Sequence, residues 1–157
     1  MADLPYAVDV RRMEQFSAKE LYALLKMRVD VFVVEQKCPY PELDSKDIGA
    51  LHLRLLNGDD LIASARILPP TDPTGPVKIG RVVVSPSHRG KRLGDALMRE
   101  AILVCEQQFS ANAMALSAQS HLQLFYHSFG FLPVSAEYLD DGIPHIDMVR
   151  PVLIGRA

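Results

Sequence analysis

The stretch Val82-Val-Val-Ser-Pro-Ser-His-Arg-Gly-Lys-Arg-Leu-Gly-Asp-Ala-Leu97 gathers the residue types that hold a phosphate. A run of valines ends, a basic turn with glycines follows, and a segment of apolar residues at helical spacing opens. A helix beginning there leaves backbone N–H groups without acceptors, and its dipole favours an anion. Gly90 and Gly94 let the backbone approach a phosphate closely. Arg89, Lys91 and Arg92, with His88, place positive charge locally on a chain whose formal net charge is −2. The chemistry that follows is a phosphate cradle at a helix start. The same residues also suit a solvated charged turn.

Two better-known phosphate motifs are absent. The chain has no G-x-G-x-x-G. Gly75 and Gly80 have P-loop glycine spacing, but Arg81 and Val82 stand where Lys-Ser/Thr is needed, and a strand rather than a helix follows. The five histidines show no metal-ligand spacing, so no metal is expected. Cys38 and Cys105 stand far apart, which excludes a disulfide framework and suits a reduced, cytoplasmic setting. Cys38 has no nearby histidine to activate it, and Cys105 reads as core. His145 and Asp147 lie two apart on an expected strand and share a face, as a His–carboxylate pair or as ordinary surface pairing.

The elements that must position these groups are legible from periodicity. Ser17-Ala-Lys-Glu20 has capping-box form, and Leu21, Leu24, Leu25, Val29 and Phe32 fall at helical spacing, predicting a helix over 17–33. The proline- and acid-rich segment 35–47 predicts a loop. Apolar runs at 50–56 and 61–68 flank Asn57-Gly58-Asp59-Asp60 and predict a hairpin with a turn longer than two residues. Residues 77–84 predict a core strand, and 93–108 a helix facing the core through Leu93, Leu97, Ala101 and Val104. A strand over 112–118 and a helix over 120–128 ended by Gly130 follow. Two strands, 131–138 and 145–152, flank the turn at Asp140-Asp-Gly142. A meander of strands followed by strand–helix alternation predicts an α/β mixed sheet, mostly antiparallel in its N-terminal part, with helices on both faces.

The chain's 157 residues suit one domain spanning the whole sequence, with its core over about 8–152. The slightly acidic balance argues against a nucleic-acid partner. The N-terminal residues carry charges where a signal peptide needs an apolar run, and no stretch approaches the ~18 apolar residues of a membrane span. Exposed strand edges near the C-terminus leave room for a homodimer.

Strand, Arg89-x-x-x-x-Gly94, then helix resembles the acetyl-CoA signature of the GCN5-related N-acetyltransferases (GNAT), whose pattern is Arg/Gln-x-x-Gly-x-Gly/Ala. Phe125-Tyr126-His-Ser-Phe-Gly130-Phe131 resembles that family's Tyr-x-x-x-Gly-Phe block. The element order matches from residue 17 onward. Within the family, Arg28–Asp44, Leu116–His121 and Asp141–Asp147 resemble the ElaA-like branch. Three positions depart from the pattern. Arg92 replaces the middle glycine, Gln119 replaces a frequent asparagine, and Gly80 beside Arg81 stands where many members carry a glutamate base.

The resemblance implies a GNAT-like acyl-CoA N-acyltransferase fold and direct attack of an amine on acetyl-CoA, with a small amine as acceptor. It places the pantetheine arm along Val82, Val83 and Val84, with a backbone N–H near Val84 for the oxyanion. The diphosphate would meet Arg89, Gly90, Lys91, Arg92, Leu93, Gly94 and Asp95, and Gln119 would hydrogen-bond nearby. Tyr126 would protonate the leaving thiolate. An alkyl ammonium needs a base, for which Glu35, His121 and the His145/Asp147 pair are candidates. Glu35, Glu42, Asp44 and Asp47 would form an acidic rim drawing a cationic acceptor, or a solvated loop. An acyl-CoA sensor without turnover, and transfer of a longer acyl chain, are the alternative readings.

Overall fold

In the computed structural model, which describes residues 5–152, eight strands form one mixed sheet. In chain order the elements are β1 (Ala7–Arg12), α1 (Ala18–Val29, continued by a π-helical turn over Asp30–Glu35), β2 (Leu51–Asn57), β3 (Asp60–Leu68), β4 (Val77–Val84), α2 (Leu93–Gln108), β5 (Met114–Gln119), α3 (Gln123–His127), β6 (Leu132–Pro133), β7 (Tyr138–Asp140) and β8 (Ile143–Arg150). The sheet order is β1-β2-β3-β4-β5-β8-β6, with β7 also pairing with β8. All pairings are antiparallel except β4 with β5. Among the described residues, no helix is long and apolar enough to cross a membrane.

The capping box forms as expected: Ser17 Oγ accepts from the Glu20 amide, and the Glu20 carboxylate accepts from the Ser17 amide. Helix α2 has the expected bounds, and Leu93, Leu97, Ala101 and Val104 are buried.

The sheet's two faces differ in chemistry. In the β2–β3 register, Leu51↔Ile67, Leu53↔Ala65 and Leu55↔Ala63 point to one face, while His52↔Arg66 and Arg54↔Ser64 point to the other. The first face packs in the apolar core with α2. The second lies under α1 and the loop that follows it, with Arg54 bonding Glu20 of α1 and Arg66 bonding Asp44 and Asp47. Covering both faces buries the alternating His52, Arg54, Ser64 and Arg66 along with the leucines.

Buried charge on that second face is matched. Arg28 Nε donates to Glu42 Oε2 at 2.7 Å, and its Nη1 to Asp47 Oδ1 at 2.9 Å. Arg66 Nη1 reaches Asp44 at 2.7 Å and Asp47 at 3.1 Å. Arg81 Nε donates to the same Glu42 Oε2 at 2.8 Å, and Tyr40 Oη donates to Glu42 Oε1. Three guanidinium groups thus face three carboxylates. Glu42 and Asp47, at 3% and 6% exposed, are therefore buried and belong to neither an acidic rim nor a solvated loop, whereas Asp44 stays partly exposed and Glu35 lies on the cleft.

Three element expectations need correction. The structure adds β1 before the first helix, an edge strand whose Asp9 is held by Arg54 at 2.7 Å. The β2–β3 turn has only two residues, Gly58 and Asp59, because Asn57 pairs with Asp60 and Gly58 supplies a positive φ of 61°. The expected strand over 131–138 is two short strands. Pro133 has no N–H for the ladder, and Ser135 Oγ, not a strand carbonyl, takes the Asp147 amide.

Candidate active site

Strands β4 and β5 pair only at Val77↔Met114 and Lys78↔Ala115. Among the described residues no strand lies along the β5-facing edge of β4 beyond those two pairs, which leaves the peptide groups on that edge from Ile79 onward without a strand partner. The gap is a cleft of about 580 Å³. Its walls include Ile79–Val84, Leu116, Ser117, Gln119, Tyr126 and His145, with Glu35 and Gln36 from the end of the α1 extension.

On its other edge β4 carries a bulge. Ser64 pairs with Val83 and Arg66 with Gly80, so Arg81 and Val82 together oppose Ala65. Arg81 takes φ 52°, a left-handed conformation that costs a non-glycine residue about 1–2 kcal/mol. Its side chain is held there by Glu42 and lies 5.8 Å from the centre of the Tyr40 ring. The bulge re-aims the strand just where the expected pantetheine residues Val82, Val83 and Val84 line the cleft. Nothing in the local sequence marks Arg81 for this role.

The start of α2 has the form an anion site needs. Gly90 has φ 79°, and Arg92, the N-cap, is left-handed at φ 57° with no side-chain cap. Arg92 therefore adopts a left-handed backbone shape, one that glycine takes without steric cost. The amides of Leu93, Gly94 and Asp95 lie in the first turn, where no helical acceptor exists. Lys91 and Arg92 are exposed and in no ion pair among the described residues. A Cβ on Gly94 would stand 3.6 Å from the Phe125 ring, so this residue brings the two motif blocks into contact.

Arg89 is engaged elsewhere. Its Nη1 and Nη2 each lie 2.7 Å from a carboxylate oxygen of Glu35. That bidentate pair joins two candidate residues and lowers the Glu35 carboxyl below its ordinary range. Gln36 meanwhile approaches Gln119, at the end of β5, at 3.4 Å. The end of the α1 extension thus touches both sides of the cleft.

Tyr126 lies on α3, 7% exposed, lining the cleft and packed edge-to-face on Phe125 and Phe131. Burial pushes its phenol up to about 12. Its hydroxyl has no hydrogen-bond partner among the described residues. His121, in the short turn before α3, is exposed and lines the same cleft. His145 and Asp147 do not bond each other: Asp147 is taken by Ser117 at 2.9 Å and Tyr138 at 2.5 Å, and His145 by the Ile143 carbonyl. Cys38 is buried, lines the cleft and donates its thiol to the Asp141 carbonyl at 3.4 Å. Among the described residues, no group of His, Cys, Asp and Glu is arranged to hold a metal.

Comparison with known proteins agrees with this geometry. The acetyltransferase (GNAT) domain matches residues 27–151. Protein ElaA of Escherichia coli is 46% identical over 141 residues, 88% of this chain and 92% of that protein. A UPF0039 protein of Schizosaccharomyces pombe is 46% identical over 132 residues, 83% of this chain and 87% of that one. Among solved structures, an acyl-CoA N-acyltransferase from Pseudomonas aeruginosa superposes with TM-score 0.89 at 43% identity, covering 94% of this chain and all of that one. With a sheet split between β4 and β5, a bulged β4 and a basic turn opening α2, the chain belongs to the GNAT acetyltransferase family, in its ElaA-like branch.

Proposed function

We propose that the protein transfers an acetyl group from acetyl-CoA to the amine of a small acceptor by direct attack, with Tyr126 as the proton donor to sulfur. One observation carries this reading. The cleft where β4 and β5 part is lined by Val82, Val83 and Val84 of β4, by Arg89 of the basic turn that leads into α2, and by Tyr126.

The diphosphate of the donor would lie on the amides of residues 89–95, helped by Lys91 and Arg92. Because Glu35 already neutralises Arg89, the backbone carries most of that contact. The pantetheine arm would hydrogen-bond along Val82, Val83 and Val84, and Gln119 would border it from β5. In the reaction the amine nitrogen bonds to the thioester carbon while the C–S bond breaks toward sulfur. The sulfur takes the Tyr126 proton, and the phenolate recovers one from the newly acylated nitrogen. A phenol at about 12 is a weaker acid than a thiol at ~8.5. Its proton therefore moves to sulfur in concert with loss of the nitrogen's proton. The neutral phenol also stabilises the developing thiolate by a hydrogen bond.

CoA release from acetyl-CoA, followed with a thiol reagent across a panel of amino acids, polyamines and amino sugars, tests the reading. At least one amine is expected to give saturable turnover. Tight acetyl-CoA binding without turnover on any amine supports a sensor instead. Faster turnover with longer acyl-CoAs replaces the acetyl donor.

A further inference from the structure

Deprotonating the acceptor needs a base in the cleft, and the structure singles one out. His145 Nδ1 lies 2.8 Å from the Ile143 carbonyl oxygen. A carbonyl oxygen has no proton to give, so Nδ1 carries the hydrogen and donates it. In the neutral ring that leaves the lone pair on Nε2. The ring is half-buried, lines the cleft and is stacked on Tyr138, centroids 6.2 Å apart and planes 26° apart. Tyr138 is itself held by its hydroxyl on Asp147. In the β5–β8 register His145 faces Gln119, at the open end of the split. A tautomer fixed by backbone and an orientation fixed by a stacked ring are what a base needs to meet a substrate proton reproducibly.

The other candidates lack this arrangement. Glu35 is locked to Arg89, Asp147 is taken by Ser117 and Tyr138, and His121 is exposed with no hydrogen bond fixing its ring among the described residues. We propose that His145 Nε2 is the general base that takes the proton from the acceptor's ammonium group, with Ile143 and Tyr138 positioning it. This rests on the acetyltransferase reading above. In the step, one ammonium N–H bond breaks, its electron pair stays on nitrogen, and the proton passes to Nε2 and then to solvent. The freed amine then attacks the thioester carbon. Among the described residues, Tyr138 on β7 is stacked on His145, Asp147 lies two residues along β8, and the titratable groups that line the cleft with it are Cys38, Tyr40, Arg81, Arg89, His121, Tyr126, Asp140 and Asp141. Glu35 lies in the same cleft, and the neighbouring β5 side chains Ser117 and Gln119 carry no charge.

Two measurements test the proposal. Ring-nitrogen NMR of the intact protein reads the tautomer without any acceptor; hydrogen on Nδ1 is expected, and hydrogen on Nε2 overturns the assignment. With the best amine of the panel, His145→Gln is expected to lower kcat/KM by roughly 10²–10³-fold. It should also erase the acid limb of the pH profile while leaving acetyl-CoA affinity unchanged. Wild-type turnover with that limb retained in His145→Gln, or lost instead in His121→Gln, overturns the base role and leaves the transferase reading standing. Wild-type silence on every amine removes both.

Discussion

Replacing Tyr126 by phenylalanine is expected to lower kcat by about 10²–10³-fold while acetyl-CoA affinity changes less than about twofold. The substitution keeps the ring and its edge-to-face contacts with Phe125 and Phe131, so the core at α3 is preserved. It removes only a hydroxyl that bonds nothing else among the described residues. Any loss of turnover therefore reports a contact made during the reaction, not one that holds the fold. Steady-state CoA release with the best amine gives kcat, and isothermal titration gives Kd. Unchanged kcat would remove the tyrosine from the chemistry. A parallel loss of CoA affinity would make it a binding residue.

Replacing Glu42 by alanine is expected to destabilise the fold by about 3–5 kcal/mol, because Arg28 and Arg81 lose the carboxylate they share in a buried site. For a chain of this size that is a fall in Tm of roughly 10 °C. Lys26→Ala, which breaks the exposed 2.6 Å pair with Asp30, is expected to leave the Tm nearly unchanged. Thermal unfolding of the two variants separates these outcomes; equal small shifts would show that the network adds no net stability. The same network gives an acid dependence. Burial pushes the Asp47 carboxyl up, but hydrogen bonds and charge from Arg28 and Arg66 outweigh it and hold the group below its usual range. Burial lowers the His52 imidazole. Both groups bind protons more weakly folded than unfolded. Their contribution is thus complete above ~6.5 and shrinks as pH falls, first through His52 and then through Asp47 below ~3.9.

What was legible in the sequence was local. The bounds of α2, the capping box at Ser17 and the Gly90–Gly94 turn each depend on residues within a few positions of one another. Strand β1 was not legible, since Val8 is 44% exposed and what holds the strand is its register with β2 and the reach of Asp9 to Arg54, 45 residues away. The acids at 42–47 read as surface because their guanidinium partners come from α1, β3 and β4. Glu35 and Arg89 each looked free for separate tasks, and only the fold brings them into one ion pair. The stacking of Tyr138 on His145 was not legible either, because it follows from the turn at Asp141 and Gly142, both at positive φ, which folds β8 against β7.

In the proposed reaction the first-turn amides of α2 hold the donor's diphosphate so that its sulfur reaches Tyr126. A crystal structure of the protein with coenzyme A measures this directly. The expected density puts the diphosphate against the backbone of residues 89–95, the arm along the free edge of β4 and the thiol beside the Tyr126 hydroxyl. Coenzyme A bound with its diphosphate away from that turn, or with its thiol outside the β4–β5 split, would contradict it.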